Sequence, residues 1–247
     1  MAIIKNGKIH GKIGNYIYRV LNGVEIIQSY PRRIKVSDNT KVENLWFSLC
    51  AGMSSQIYQI VKDFALNIVH SRLYNNLTGI FRVNLFASDS NDRLANCLDW
   101  TLLPSTEAIS ISGKHSDERI LPTVCVTNEE VRVSISESSK PAYAVRYLPA
   151  AEYMELRFLL VHYDFDSKLA RSVFEHSWDR ELIGSITSAR ELEIDLAGLD
   201  QPVSHGLLIP CFGIRLFAYQ ESSSYLNSSV YNPFWILGVW YKSMPKI

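Results

Sequence analysis

The sequence predicts an α+β, mainly β chain: an N-terminal β-hairpin plus amphipathic helices, then an antiparallel, immunoglobulin-like β-sandwich. Three observations carry this. An Asn-Gly pair stands between two β-rich runs near the start. Apolar residues then recur at steps of three and four over residues 42–68. From Leu98 onward the period changes to two. Steps of three and four keep side chains on one helix face, whereas a period of two keeps them on one sheet face.

The hairpin is expected over residues 11–30. Ile13, Tyr16, Ile17, Tyr18 and Val20 lead into Asn22-Gly23, and Val24, Ile26 and Ile27 follow. Both turn residues tolerate positive φ, as a type I′ turn requires. Strand alternation would put Ile13 and Ile17 on one face and Tyr16, Tyr18 and Val20 on the other. Pro31 ends the second strand.

Thr40 and Glu43 have capping-box spacing and predict a helix start. Val42, Leu45, Trp46, Leu49, Met53, Ile57, Ile60, Val61, Phe64 and Ile68 form the stripe. Gly52, Ser54 and Ser55 in its middle leave a continuous helix and a broken one both open. A second helix is expected over 71–86, with Leu73, Leu77, Ile80, Phe81 and Leu85 on one side. Strands are expected at 120–127, 131–135, 156–163, 170–178, 191–196, 208–219 and 234–241. Alternation points Val131, Val133, Ile135, Leu192, Ile194 and Leu196 inward. The chain thus divides into a basic hairpin head with a helical segment, 1–90, and a β-sandwich body, 91–247.

Of 247 residues, 47% are hydrophobic and 20% charged, enough apolar mass for a core. No apolar run reaches the ~18 residues of a spanning helix. The opening lacks the apolar stretch of a signal peptide, and none is expected. Cys50, Cys97, Cys125 and Cys211 form no close pair and sit in apolar stretches. They predict buried free thiols, and with them a cytoplasmic protein or one assembled there. Net charge is zero but unevenly spread. Residues 1–41 hold eight bases and two acids, net +6, which leaves 17 bases and 23 acids, net −6, in the rest. Such asymmetry orients contacts.

Few residues have the pattern of a chemical site. His162, Asp164 and Asp166 would share one face if their strand continued, as ligands of an oxygen/nitrogen metal site do. Asp-Phe-Asp-Ser-Lys is also ordinary hairpin-turn chemistry, and that reading is preferred. Ser204 and His205 are adjacent, so in a strand they point to opposite faces. No nucleophile elbow accompanies them. The Gly7 to Ile13 segment has three residues between its glycines and Ile after Lys12, which excludes a phosphate loop. The expectation is a non-enzyme with no metal and no cofactor. The residues expected at an interface are Tyr16, Tyr18, Arg19, Arg32 and Arg33 in the head, with Trp235 and Trp240 in a late strand apolar on both faces. That strand is central in its sheet or meets another subunit.

The opening MAIIKNG, Gly11-Lys12-Ile13-Gly14, Asn22-Gly23, Gln28-Ser29-Tyr30-Pro31 and Tyr74-Asn75 form a recognisable series. An apolar strand over 159–163, a return through 170–174 and Ser229-Val230-Tyr231 extend it. The series resembles a family of uncharacterised proteins found widely in Bacteroidota, and departs from it at Gln28, where that family usually has Arg. The resemblance implies an architecture and a bias toward structural or surface-assembly roles, with no activity. The expected function is a non-enzymatic, self-assembling subunit of a filament, tube or phage-like particle, joined by head-to-body contacts. The other reading is a polymer-binding module, taking nucleic acid through the basic head or glycan through body aromatics. The expected partner is another copy of the chain, with no membrane span.

Overall fold

The computed structural model describes residues 2–5, 7–21, 24–29, 37–86, 94, 97–106, 109–111, 121–136, 148–183, 189–201, 203, 205–229 and 231–243. The chain forms two compact units, residues 1–44 and 45–247. The buried stripe of the helices, from Cys50 onward, shares its core with the large sheet.

The first unit contains a four-stranded antiparallel meander: β1 (Ala2–Lys5), β2 (Lys8–Ile13), β3 (Tyr16–Leu21) and β4 (Val24–Ser29). The pair β3–β4 is the expected hairpin, with Leu21 opposite Val24. The first two strands had no clean alternation to announce them. Their turns use Gly7 and Gly14 at φ 74° and 57°, a region open to glycine without penalty.

The helix α1 (Asp38–Phe64) runs unbroken through Gly52 and Ser54. Its cap is Ser37, not Thr40: the Ser37 hydroxyl accepts the Thr40 N–H at 3.2 Å. Thr40 therefore sits at the third helical position, where its N–H has no intrahelical partner and needs this acceptor. The expected second helix is α2 (Leu73–Phe81) followed by a π-helical turn at Arg82–Phe86.

The strands of the second unit are β5 (Thr101–Leu102), β6 (Ile109–Ser110), β7 (Thr123–Val126), β8 (Glu130–Ile135), β9 (Tyr153–Asp164), β10 (Leu169–Ser177), β11 (Glu181–Leu182), β12 (Arg190–Asp195), β13 (Gly206–Phe217), β14 (Phe234–Ile236) and β15 (Trp240–Lys242). The large sheet runs β10-β9-β13-β14-β6, with β11 on β9, β15 on β13 and β5 on β15. A small sheet runs β12-β8-β7. Every pairing is antiparallel. The late strand expected over 234–241 is split into β14 and β15.

Two cores flank the large sheet. On one face Leu159, Val161, Tyr163, Leu207 and Ile209 pack with Met53, Ile57, Val61, Leu77 and Phe81 of the helices. On the other, Leu156, Phe158, Leu160, Phe212 and Ile214 pack with Val131, Val133, Ile135, Ile194 and Leu196 of the small sheet. The predicted inward set is therefore buried, except that Leu192 is half-buried against the same core. Strands apolar on both faces read as continuous hydrophobic runs because neither face meets water. The same reason overturns the interface assignment of Trp235 and Trp240. They are 0% and 7% exposed, inside the second core, and offer no surface to another subunit. Cys50 and Cys211 are buried as expected, but Cys97 is half-buried and Cys125 exposed. Cys125 alternates with Val124 and Val126, which face the core in its place.

Buried amides tie the end of α1 to the sheet. Asn232 Nδ2 donates to the carbonyls of Ala65 and Ile68 at 3.0 and 2.9 Å, and its Oδ1 accepts from Asn227 at 2.9 Å. Asn227 in turn accepts the Leu216 N–H and donates to the Ile214 carbonyl.

Gly213 pairs with Phe234, and a Cβ at this position would overlap the Phe234 ring. Gly213→Ala is expected to lower unfolding free energy by about 1–3 kcal/mol, the usual cost of overpacking. Chemical denaturation of the variant beside the parent checks it.

Candidate functional site

The first candidate is the head sheet, where register decides which side chains share a face. Ile13 lies opposite Tyr16, Gly11 opposite Tyr18, and Tyr18 opposite Ile27. Ile4 lies opposite Ile9, and Ala2 opposite Gly11. Ile13, Tyr16, Tyr18, Val20 and Ile27 therefore share one face of β2–β4, and Ile4 and Ile9 share one face of β1–β2. Ile13 belongs with the tyrosines, contrary to the expected alternation, because the Gly14-Asn15 turn intervenes between Ile13 and Tyr16. Lys12 opposite Ile17 and Arg19 opposite Ile26 place these two cations on the second face together with both isoleucines. Lys5 lies opposite Lys8 in the β1–β2 pair, beyond Gly11 at φ 108°. Glu25, opposite Val20, shares that face with Tyr18 and Ile27 and lies 4.0 Å from Lys8.

Of the expected head interface, Tyr16 is exposed, Tyr18 half-buried, and Arg19 exposed on the face opposite both. Arg32 and Arg33 lie outside the described residues. No positional signal in the sequence announces this separation, since it follows from the two turns that precede β3.

A second candidate lies at the tip of the β9–β10 hairpin. Asp164 and Asp166 come together there with His205, whose Nε2 stands 2.9 Å from Asp166 Oδ2 and 3.9 Å from Asp164 Oδ1. Ligand-capable atoms of the three lie within 4.8 Å of one another. The expected third member, His162, takes another role. It is buried, and its Nε2 is 2.9 Å from the carbonyl of His205. His205 was missed because it lies far along the chain, and only the β9–β13 ladder brings it near.

The local chemistry explains the carboxylates. Asp164 accepts the Asp166 N–H and the Ser167 hydroxyl, both at 2.9 Å, which closes the turn. The Gln56 side chain clamps the turn from α1, donating to the Lys168 carbonyl at 2.9 Å and accepting the Ala170 N–H at 2.8 Å. Burial pushes the Asp164 carboxyl up, but the Asp166 N–H, the Ser167 hydroxyl and the nearby histidines together hold it below its ordinary value. The arrangement sets the His205 imidazole against two carboxylates. Ser204 lies outside the described residues.

A third candidate is a cleft of about 300 Å³ lined by Asp63, Phe64, Arg157, Glu175 and Arg215, among others. Glu155 stands 3.9 Å from Arg157, 3.4 Å from Arg180 and 3.6 Å from Arg215, while Arg157 also pairs with Glu175. Burial, with Arg215 nearby, lowers the Arg157 guanidinium to about 10. Cations and carboxylates largely neutralise one another here, so the cleft presents little net charge to a ligand.

No protein-family model, curated protein or solved structure matches this chain. Among the described residues no helix is long and apolar enough to cross a membrane.

Two measurements address the hairpin tip. Burial lowers the pKa of His162 below the ordinary 6.5. The unfolded chain therefore takes up a proton that the folded chain resists, and stability falls as pH drops through that value. Denaturant unfolding between about pH 7.5 and about pH 5.5 should show this loss, and His162→Gln should flatten it. Elemental analysis of the purified protein is expected to find no stoichiometric divalent metal, because Asp164 is already engaged by its turn and His205 faces Asp166. One metal per chain would overturn this and point to Asp164, Asp166 and His205.

Proposed function

We propose that the protein is a non-enzymatic structural subunit that assembles with copies of itself into a filament, tube or phage-like particle. The observation that carries the reading is the separation of charge. Residues 1–41 are net +6, with Lys12 and Arg19 on one face of the head sheet, while the chain beyond residue 41 is net −6. The basic face of one head would dock on the acidic body of the next copy. Such a contact joins two different surfaces, and it propagates unless the rotation closes a ring. Exposed ion pairs are worth only about 0–1 kcal/mol each, so they orient and accelerate docking more than they hold it.

The resemblance to the uncharacterised Bacteroidota family supports a structural role. Assembly in the cytoplasm and an immunoglobulin-like class for the two facing sheets of the body belong to the same proposal. The basic face also favours a second reading, in which it binds a polyanion such as nucleic acid.

Light scattering of the purified protein tests the first reading. Assembly should slow as salt rises, and Lys12→Glu with Arg19→Glu should slow it at low salt and flatten the salt dependence. Unchanged kinetics in that double variant would reject the basic face as the connector. Salt-dependent binding to DNA by a protein that stays monomeric would replace assembly with polymer binding.

A further inference from the structure

We infer that the cleft beside the end of α1 binds a small monocarboxylic acid, with Arg157 and Arg215 gripping its carboxylate and Ile60, Phe64 and Leu159 lining the space for its apolar body. The inference does not depend on self-assembly.

The site begins where the helix ends. Leu159, Val161 and Tyr163 of β9, with Leu207 and Ile209 of β13, pack under the helices. Alternation puts Glu155 and Arg157 on that same face of β9, and Arg215 on that face of β13. Helix α1 stops at Phe64, and there the face changes from aliphatic to charged. Arg157 lies opposite Gly213 and Arg215 opposite Glu155, the next rung of the ladder on this face. The space left beside the helix end is about 300 Å³, the lower end of small-molecule sites.

The charges at its floor come close to balance without reaching it. Glu155 is shared among Arg157, Arg180 and Arg215 at 3.9, 3.4 and 3.6 Å, and Glu175 pairs with Arg157. Three guanidiniums thus meet two carboxylates. Asp63 at the rim is exposed, where solvent screens its charge. Arg180 is engaged elsewhere: it stacks on the Phe217 ring at 3.6 Å and donates to the carbonyls of Gln220 and Ser222 at 2.7 and 2.6 Å. Arg215 is not so engaged. Among the described residues its side chain donates no hydrogen bond: Nε is buried without an acceptor, and Nη1 stands 3.6 Å from Glu155. Its charge helps to lower the Arg157 pKa, after burial, the larger cause. Buried ion pairs rarely stabilise a fold better than apolar residues in the same space, so stability alone does not account for an unmatched guanidinium here.

The same features choose the ligand. A guanidinium is a rigid fork that fits a carboxylate through two parallel N–H···O bonds. One unmatched positive charge suits a monoanion. A dianionic phosphate would bring surplus negative charge beside Glu155, Glu175 and Asp63, and like charges in contact are costly.

Isothermal titration of the full chain with benzoate tests this, at about pH 7 where a carboxylic acid is ionised. Saturable binding is expected, at least about tenfold tighter than for benzyl alcohol and tighter than for phenyl phosphate. Arg215→Gln should weaken benzoate by a similar factor. It should leave the denaturant midpoint of unfolding unchanged, since Arg215 holds no hydrogen bond among the described residues. An independent readout needs no variant: benzoate should move the Nε–H NMR signals of Arg157 and Arg215 in the parent protein more than that of Arg190. The inference is overturned by an absence of saturable binding, by equal affinity for benzyl alcohol, by tighter binding of phenyl phosphate, by an unweakened Arg215→Gln variant, or by signal changes confined to other arginines. None of these outcomes bears on self-assembly, which light scattering reads separately.

Discussion

The second unit depends on one ladder. Strands β9 and β13 pair over eleven residues, from Tyr163 opposite Leu207 to Tyr153 opposite Phe217. Neither strand has a solvent face along most of that length. Each alternates its side chains between two cores, so the ladder supplies one wall to the helices and another to the small sheet. A one-residue slip would exchange the two sets of side chains at once. The register is held from outside as well. His162 and His205 meet across the strands, Gln56 grips the turn beyond β9, and the two buried asparagines anchor β13 to the end of α1.

Legibility followed periodicity. The long stripe of α1 and the alternation at 131–135 and 191–196 are strong signals, and the structure places those elements as the sequence predicts. The doubly buried strands are also visible, as apolar runs bounded by turn residues. What the runs cannot show is what covers each face, and so Trp235 and Trp240 could be read as contacts when they are core. The first two strands were missed because Ile-Ile-Lys and Lys-Ile-His-Gly-Lys-Ile carry no clean alternation, and their pairing is fixed by glycine turns. The carboxylate–histidine cluster was half legible: Asp164 and Asp166 announce a turn, but only tertiary pairing supplies His205.

The head and the body stabilise themselves in different ways. The body buries both faces of its central strands within the chain. The head is a small sheet in which cations and aliphatic residues share a face: Lys12 stands opposite Ile17, and Arg19 opposite Ile26. A small sheet of this kind is marginal by itself in water. Its two kinds of side chain act over different ranges. Charge acts over about a Debye length and is weakened by salt, whereas apolar contact acts only on touching and is not screened in this way.

The Asn232 anchor also has a temporal side. The carbonyls it satisfies, on Ala65 and Ile68, precede it by 167 and 164 residues. On a ribosome adding roughly 5–20 residues each second, α1 emerges roughly ten to thirty seconds before the amide that fastens its end. Its apolar stripe waits as long for β13 and β14, which supply much of the wall it packs against. During that interval the nascent chain carries a long helix with an uncovered hydrophobic side, the kind of surface that a holdase shields.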